Sequence, residues 1–136
     1  MGVSEAVRKF LQKPYFAVLA TINADGLPQQ TVVWYELQGD EIMMNTQRGR
    51  IKDRNIVRDA RVSICVPDGY TAVTITGRAH VIDDQTTAQA DIVRLAERYN
   101  GPERAKQQAA EFATQTRITI RVPIERVVAY NIGEGE

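Results

Sequence analysis

The sequence predicts a mainly β chain with flanking helices, folded as a small antiparallel barrel. Three observations carry that prediction. The turn Asn23-Ala-Asp-Gly26 separates two runs rich in aromatic and β-branched residues, 15–22 and 28–37, and Asp-Gly readily takes the positive φ of a hairpin loop. The stretch 71–82 alternates with period two: Val73, Ile75, Gly77, Ala79 and Val81 share one face, while Thr74, Thr76, Arg78 and His80 share the other. Six or seven such runs follow one another through short connections, and strands in meander order close into a barrel.

The elements follow in order. Ser4 is a candidate N-cap for a helix whose Val7, Phe10 and Leu11 fall on one face, and Pro14 stops it. The first strand spans 15–22. The second spans 28–37, with Thr31, Val32, Val33, Trp34 and Tyr35 at its centre. Gln38-Gly-Asp40 turns the chain into a third strand, 41–46. A short helix over 50–58 comes next, with Ile56, Val57 and Ile51 expected on its apolar side. Strand 61–66 and the turn Pro67-Asp-Gly-Tyr70 lead into the alternating stretch. Asp83 or Asp84 can cap a helix running to Tyr99, with Ala88, Ile92, Leu95 and Tyr99 on one stripe. Asn100-Gly-Pro102 breaks it, and a Gln- and Ala-rich helix to about Thr114 is expected to pack lightly on the surface. Strand 116–122 turns Ile118, Ile120 and Val122 inward, Pro123 interrupts, and Val127, Val128 and Tyr130 close a last strand. The Gly-Glu-Gly-Glu end, 133–136, is expected to fray.

A chain of 136 residues without repeat, low-complexity block or linker reads as one domain over 1–136, large enough to bury roughly two-thirds of its unfolded surface. Its 43% apolar and 25% charged residues are ordinary for a globular protein. Seventeen basic and seventeen acidic residues cancel, which disfavours nucleic acid as a partner. No apolar run approaches the roughly 18–20 residues that span a bilayer, and 1–10 lack the apolar core of a signal peptide. The single cysteine, Cys65, lies in a strand-like run and reads as a buried small hydrophobe, in keeping with a reduced, cytoplasmic setting.

Several chemistries lack their residues. His80 is the only histidine and sits on the polar face of its strand; no HExxH or CxxC occurs, so no metal site of the usual ligands is expected. Gly-x-Ser-x-Gly, the P-loop and Gly-x-Gly-x-x-Gly are all absent. Asp83-Asp84 is better explained as a helix cap than as an acid–base dyad. Enzymatic chemistry in such a chain is expected to be carried by a bound cofactor that the protein positions.

The segment Thr46-Gln-Arg-Gly-Arg-Ile-Lys-Asp-Arg-Asn-Ile56 points to what that cofactor carries. Arg48, Arg50 and Lys52 crowd a helix start, where the macrodipole already places positive charge and each added cation costs a few tenths of a kcal/mol, up to ~1. Arg50, Arg54 and Arg58 stack at i, i+4 spacing, which is repulsive by roughly 0.2–0.5 kcal/mol per pair. A bound phosphate reverses the sign of both effects. Helix N–H groups, the Thr46 hydroxyl, a permissive Gly49 and forked guanidiniums would form its cradle. The plain alternative is an Arg-rich solvated face.

Together these residues resemble a known family. Phe16-Ala-Val-Leu-Ala-Thr-Ile-Asn-Ala-Asp-Gly-Leu-Pro-Gln29 resembles the first hairpin of the pyridoxamine 5′-phosphate oxidase-like, FMN-binding split-barrel superfamily. The 46–56 segment, followed by Arg58-Asp-Ala-Arg-Val-Ser-Ile64, resembles its phosphate segment and next strand. The Thr-x-Arg-Gly-Arg-x-Lys run is most similar to the probable F420-dependent (flavin/deazaflavin oxidoreductase) group. The resemblance covers 13–81 well and 118–130 loosely. It implies a six- to seven-stranded antiparallel split β-barrel, assembled as a homodimer with two cofactor sites at the interface. It also implies that Thr46, Arg50 and Lys52, with Arg48 beside them, hold the cofactor phosphate. Backbone of Ile51 and Lys52, and of Gln30, Thr31, Val32 and Val33, would line the ring. Trp34 and Tyr35 point in opposite directions along one strand, so one of them is expected to face the pocket; Trp34, Tyr70 and Tyr130 are the candidates for its wall, with plain core packing as the alternative. True pyridoxamine-phosphate oxidases carry an Arg-x-His substrate motif, and no histidine follows His80 here, which argues against vitamin B6 oxidation.

The function the resemblance implies is hydride transfer from reduced coenzyme F420, a deazaflavin, to a conjugated small molecule such as a quinone, unsaturated lactone or tetrapyrrole. No catalytic side chain is expected. The alternatives are an FMN-dependent oxidoreductase of the same fold and a non-catalytic flavin- or deazaflavin-binding protein.

Overall fold

The computed structural model describes residues 3–132; the expectation for 133–136 lies outside them. Among these described residues, four helices and nine strands occur in the order α1 (Glu5–Leu11), β1 (Ala17–Ile22), β2 (Pro28–Val33), β3 (Glu36–Gln38), β4 (Glu41–Gln47), α2 (Ile51–Arg58), β5 (Arg61–Asp68), β6 (Thr71–Arg78), β7 (His80–Ile82), α3 (Gln85–Asn100), α4 (Pro102–Phe112), β8 (Arg117–Pro123) and β9 (Arg126–Tyr130). They form two antiparallel sheets, β2-β1-β5-β6-β9 and β3-β4-β8-β7. The fold is mainly β, as the sequence predicts, and has the two-sheet build of a split barrel.

Nine strands stand where the sequence suggests seven because two long runs change sheet midway. The 28–37 run leaves the larger sheet at Trp34–Tyr35. There the Tyr35 N–H donates to the Tyr99 hydroxyl (3.1 Å) and the buried Tyr35 hydroxyl donates to the Leu11 carbonyl (2.9 Å). The 71–82 run crosses at Ala79, whose N–H donates to the Ala60 carbonyl (2.8 Å). The bend interrupts the alternation, so Val81, expected on the same face as Val73 and Ile75, is exposed while those two are buried. The chain returns to the larger sheet twice, through α2 between β4 and β5 and again between β8 and β9, where the Ile124 N–H donates to the Asp40 carbonyl and the Glu125 N–H to the Thr76 carbonyl.

The core lies between the sheets and is built from Leu11, Leu19, Ile42, Met44, Ile64, Val66, Ile75, Ile118, Ile120 and Val122. Strand β4 is buried from Ile42 to Thr46 without alternation. Its inner side joins this core through Ile42 and Met44, and α3 packs on its other side, where the Asn45 amide donates to the Ala88 carbonyl. Ser4 caps α1 and Asp84 caps α3, each accepting a main-chain N–H. In α4 only Ala105 is buried, so this helix packs lightly, as its composition suggests.

Two expectations are corrected. On α2, Ile56 is buried, but Val57 is 77% exposed and Ile51 is exposed, while Asp53 and Asn55 are buried instead. A polar network docks this helix: the Asn55 amide donates to Thr21 Oγ1 (3.0 Å) and Asn23 Oδ1 (2.9 Å), and Arg58 donates to Asn55 Oδ1 and the Ile22 carbonyl. Cys65 is half-buried rather than buried, because it lies on the outer face of the larger sheet. No helix among the described residues is long and apolar enough to cross a membrane.

Candidate functional site: a cationic cleft beside the α2 N-terminus

The turn between β4 and α2 is shaped by two residues. Gly49 takes φ +93°, a conformation that costs a side-chain-bearing residue but not glycine. Its N–H donates to Asp53 Oδ2 (2.9 Å), so a carboxylate from the first turn of α2 reaches back and closes the turn. Arg50 stands at the N-cap in extended conformation and gives the helix no side-chain cap.

This turn opens on a cleft of about 460 Å³, within the roughly 300–1,000 Å³ of small-molecule sites. Asn45, Thr46, Gln47, Arg50, Lys52 and Arg117 supply its polar lining. Phe16, Val32, Val33 and Trp34 supply an apolar wall, and α3 and α4 add Ile92, Leu95, Gln108, Glu111 and Phe112. Trp34 stacks on Tyr99 with ring centroids 5.2 Å apart and planes 10° from parallel, and Phe16 also stacks on Tyr99, at 5.6 Å. The Tyr99 hydroxyl, on the Tyr15 carbonyl at 2.6 Å, fixes the ring that both side chains lean on.

The electrostatics are unbalanced. Partial burial lowers the proton affinity of Lys52, and the neighbouring Arg50 and Arg117 charges lower it further. Arg117 is lowered in the same way, by burial and then by Arg50. Among the described residues none of the three cations is ion-paired, and the one hydrogen bond of the Arg50 guanidinium is to Gln47 Oε1 at 3.5 Å. Lys52 and Arg117 are half-buried, while Arg50 is exposed beside them; half-buried charges without an ion-pair partner are costly, and an anion in the cleft offsets that cost. The residues present therefore fit a phosphate-bearing ligand. Strand β2 is an edge strand, so part of its main chain has no strand partner and stays available to a ligand ring. On the same strand, Thr31 Oγ1 and Gln29 Oε1 are buried without a hydrogen-bond partner among the described residues.

Of the residues expected at a site, the cleft gathers Val32, Val33, Trp34, Thr46, Arg50 and Lys52. Trp34 lines it, whereas Tyr35 points into the core. Gln30, Thr31 and Ile51 do not line it. Arg48 turns aside to pair with Asp83 at 3.1 Å. Tyr70, 88% exposed after β5, and Tyr130, 65% exposed at the end of β9, also lie off its lining. Sequence reasoning missed Arg117. The alternation of 116–122 draws attention to the inward Ile118, Ile120 and Val122, and Arg117 reaches the cleft only because β4 and β8 pair with Gln47 opposite it. No local signal marks that pairing.

Comparison with known proteins gives the family of the fold. The family model described as Pyridoxamine 5′-phosphate oxidase matches residues 3–128. A conserved hypothetical protein from Mycobacterium tuberculosis has a similar structure at 29% identity, with a TM-score of 0.81, covering 94% of this chain and 84% of its own. An F420 reductase is similar at 26% identity, with a TM-score of 0.76, covering 93% of this chain and 98% of its own. A haem storage protein from Vibrio cholerae, at 18% identity, TM-score 0.74 and 98% coverage of both chains, shares the fold alone. No curated protein matches the chain.

Proposed function

The chain belongs to the pyridoxamine 5′-phosphate oxidase family, and from that premise we propose that it is an oxidoreductase passing a hydride from reduced coenzyme F420 to a conjugated small-molecule acceptor. The observation that carries this reading is the pair of cations without counter-charge, Arg50 and Lys52, at the start of α2 and beside the aromatic wall of one cleft. The similarity to an F420 reductase supports the deazaflavin.

The chain's own residues would bind and orient. Arg50, Lys52 and the Thr46 hydroxyl hold the cofactor phosphate by charge-assisted bonds. Main chain of Val32, Val33 and Lys52, which line the cleft, would meet the polar ring edge, and Trp34 with Phe16 would offer a flat apolar wall to a conjugated acceptor. When bound, the cofactor supplies the hydride; solvent supplies the proton. Catalysis then rests on proximity, exclusion of water and fixed N–H dipoles rather than on a nucleophile. FMN carries the same ribityl phosphate, so an FMN-dependent enzyme is the second reading.

We also propose a homodimer. Val32, Val18, Cys65, Thr74 and Val128 lie in register across all five strands of the larger sheet, and this row carries no charge. Val32 and Val128 in it are exposed large apolar residues, which suits a face covered by a second copy.

The test is equilibrium binding of the apo-protein to FMN, FAD and coenzyme F420 in parallel, followed by fluorescence. Selective binding of F420, with oxidation of its reduced form by a quinone, is expected. Selective binding of FMN promotes the second reading. Tight binding without turnover against any acceptor leaves a binding protein, and binding of none overturns the assignment.

A further inference from the structure

We infer that Arg117 is a third ligand of the anion gripped by Arg50 and Lys52, held in binding position by a buried polar relay that begins at Asp91. The inference rests on the phosphate-cofactor reading and adds to it a residue from the far end of the chain.

The hydrogen-bond inventory of the guanidinium sets it apart from a structural arginine. Nε donates to Asn45 Oδ1 (3.0 Å) and Nη1 to Gln115 Oε1 (2.7 Å), while Nη2 has no protein acceptor among the described residues. The guanidinium also lies 5.2 Å from the centre of the Phe112 ring. Both acceptors are neutral amides, so they fix its direction without cancelling its charge. Glu111, the carboxylate of the cleft lining, makes no ion pair with it. The result is a positioned cation with free donor capacity facing two others in one cleft.

The relay explains why Asn45 presents its oxygen. The Thr119 hydroxyl donates to Asp91 Oδ2 (2.7 Å), so Thr119 Oγ1 is left to accept. It accepts from Asn45 Nδ2 (3.3 Å), which also donates to the Ala88 carbonyl (2.9 Å). With both amide protons used, Asn45 Oδ1 must face Arg117. A flipped amide would set its NH₂ against the guanidinium and lose both bonds. Thr119 is fully buried and Asn45 nearly so, which makes unpaired alternatives costly. At the main chain Gln85 bridges both ways, donating to the Arg117 carbonyl (2.8 Å) and accepting from its N–H (3.1 Å). Asn45, Thr119 and Asp91 are thus positioning residues, acting through Arg117.

The experiment pairs each phosphate-bearing ligand with its phosphate-free counterpart: FMN with riboflavin, and coenzyme F420 with its deazariboflavin chromophore. Trp34, the chain's only tryptophan and part of the cleft wall, reports binding by quenching of its emission. In Arg117→Ala, affinity for the phosphate-bearing ligand is expected to fall about 10- to 100-fold, the range of one charge-assisted bond, with no change for the phosphate-free one. Arg117→Lys recovers part of the loss. Thr119→Val weakens the phosphate-bearing ligand less, and adds nothing in the Arg117→Ala background, since the relay acts only through that guanidinium. Arg117→Gln replaces the alanine variant if the latter does not fold. Equal losses for both members of a pair, or no loss in Arg117→Ala, overturn the inference. A wild-type protein that does not prefer the phosphate-bearing member overturns the cofactor reading first, and is distinguishable from either result.

Discussion

Lys52 is a cation in a place that resists charge. Burial and two arginines hold its proton affinity below the ordinary value of 10.5, and a phosphate beside it acts in the opposite direction. Two outcomes follow at this scale. Lys52→Ala or Arg50→Ala weakens cofactor binding by about 1.5–3 kcal/mol, as for loss of a charge-assisted bond; unchanged affinity in both variants removes the site assignment. Ligand binding also takes up protons in the alkaline range between the lowered Lys52 value and 10.5. There the apo-protein has partly lost a proton that the anion-bound form keeps. Calorimetry in buffers of different ionisation enthalpy reads this uptake, and it disappears in Lys52→Arg, where the cation does not titrate. The same sign governs folding. A lowered lysine binds fewer protons folded than unfolded, so the apo-protein's stability rises with pH through that window. Arg50 and Lys52 were legible in the sequence because cations at a helix start are a local contradiction. Arg117 was not, because its role is set by a strand partner far along the chain.

Among elements, the informative places are those where a run of residues changes sheet. The alternation of 71–82 reads as one strand, yet β6 ends at Arg78 and β7 begins at His80 in the other sheet. Gly77 makes the approach possible: a Cβ there would lie 2.5 Å from the Pro123 carbonyl oxygen and 2.9 Å from Val122 Cγ1. Gly77→Ala therefore forces main chain apart where β6 passes β8, and is expected to cost about 1–3 kcal/mol. Chemical denaturation measures it, and a midpoint equal to wild type would show that the corner yields freely. The division of 28–37 has a different cause. Tyr35 leaves the strand because its N–H meets the Tyr99 hydroxyl from α3, 64 residues away. Helix α2 shows the limit of periodicity from the other side. Its apolar Val57 faces solvent because Asn55 and Arg58 find acceptors on the first hairpin.

For the whole molecule, the uncharged row across the larger sheet is the feature that predicts assembly. A stable pair needs roughly 800 Å² buried per partner, and size exclusion with light scattering is expected to give a dimer at micromolar concentration. Thr74→Arg, on β6 within that row, is expected to give a monomer; a dimeric variant would move the interface elsewhere, and a monomeric wild type would remove the shared-site arrangement. The sequence by itself determined the alternation of strands and helices, the first hairpin, the helix caps and the cations before α2. Each of these is written within a few residues by periodicity, turn chemistry or helix-end electrostatics. Only the tertiary structure decided which strand continues in which sheet, which face of α2 is buried and that Arg117 shares a cleft with Lys52. Those depend on register between distant strands and on hydrogen-bond partners such as Asn45, 72 residues from Arg117, which no local pattern encodes.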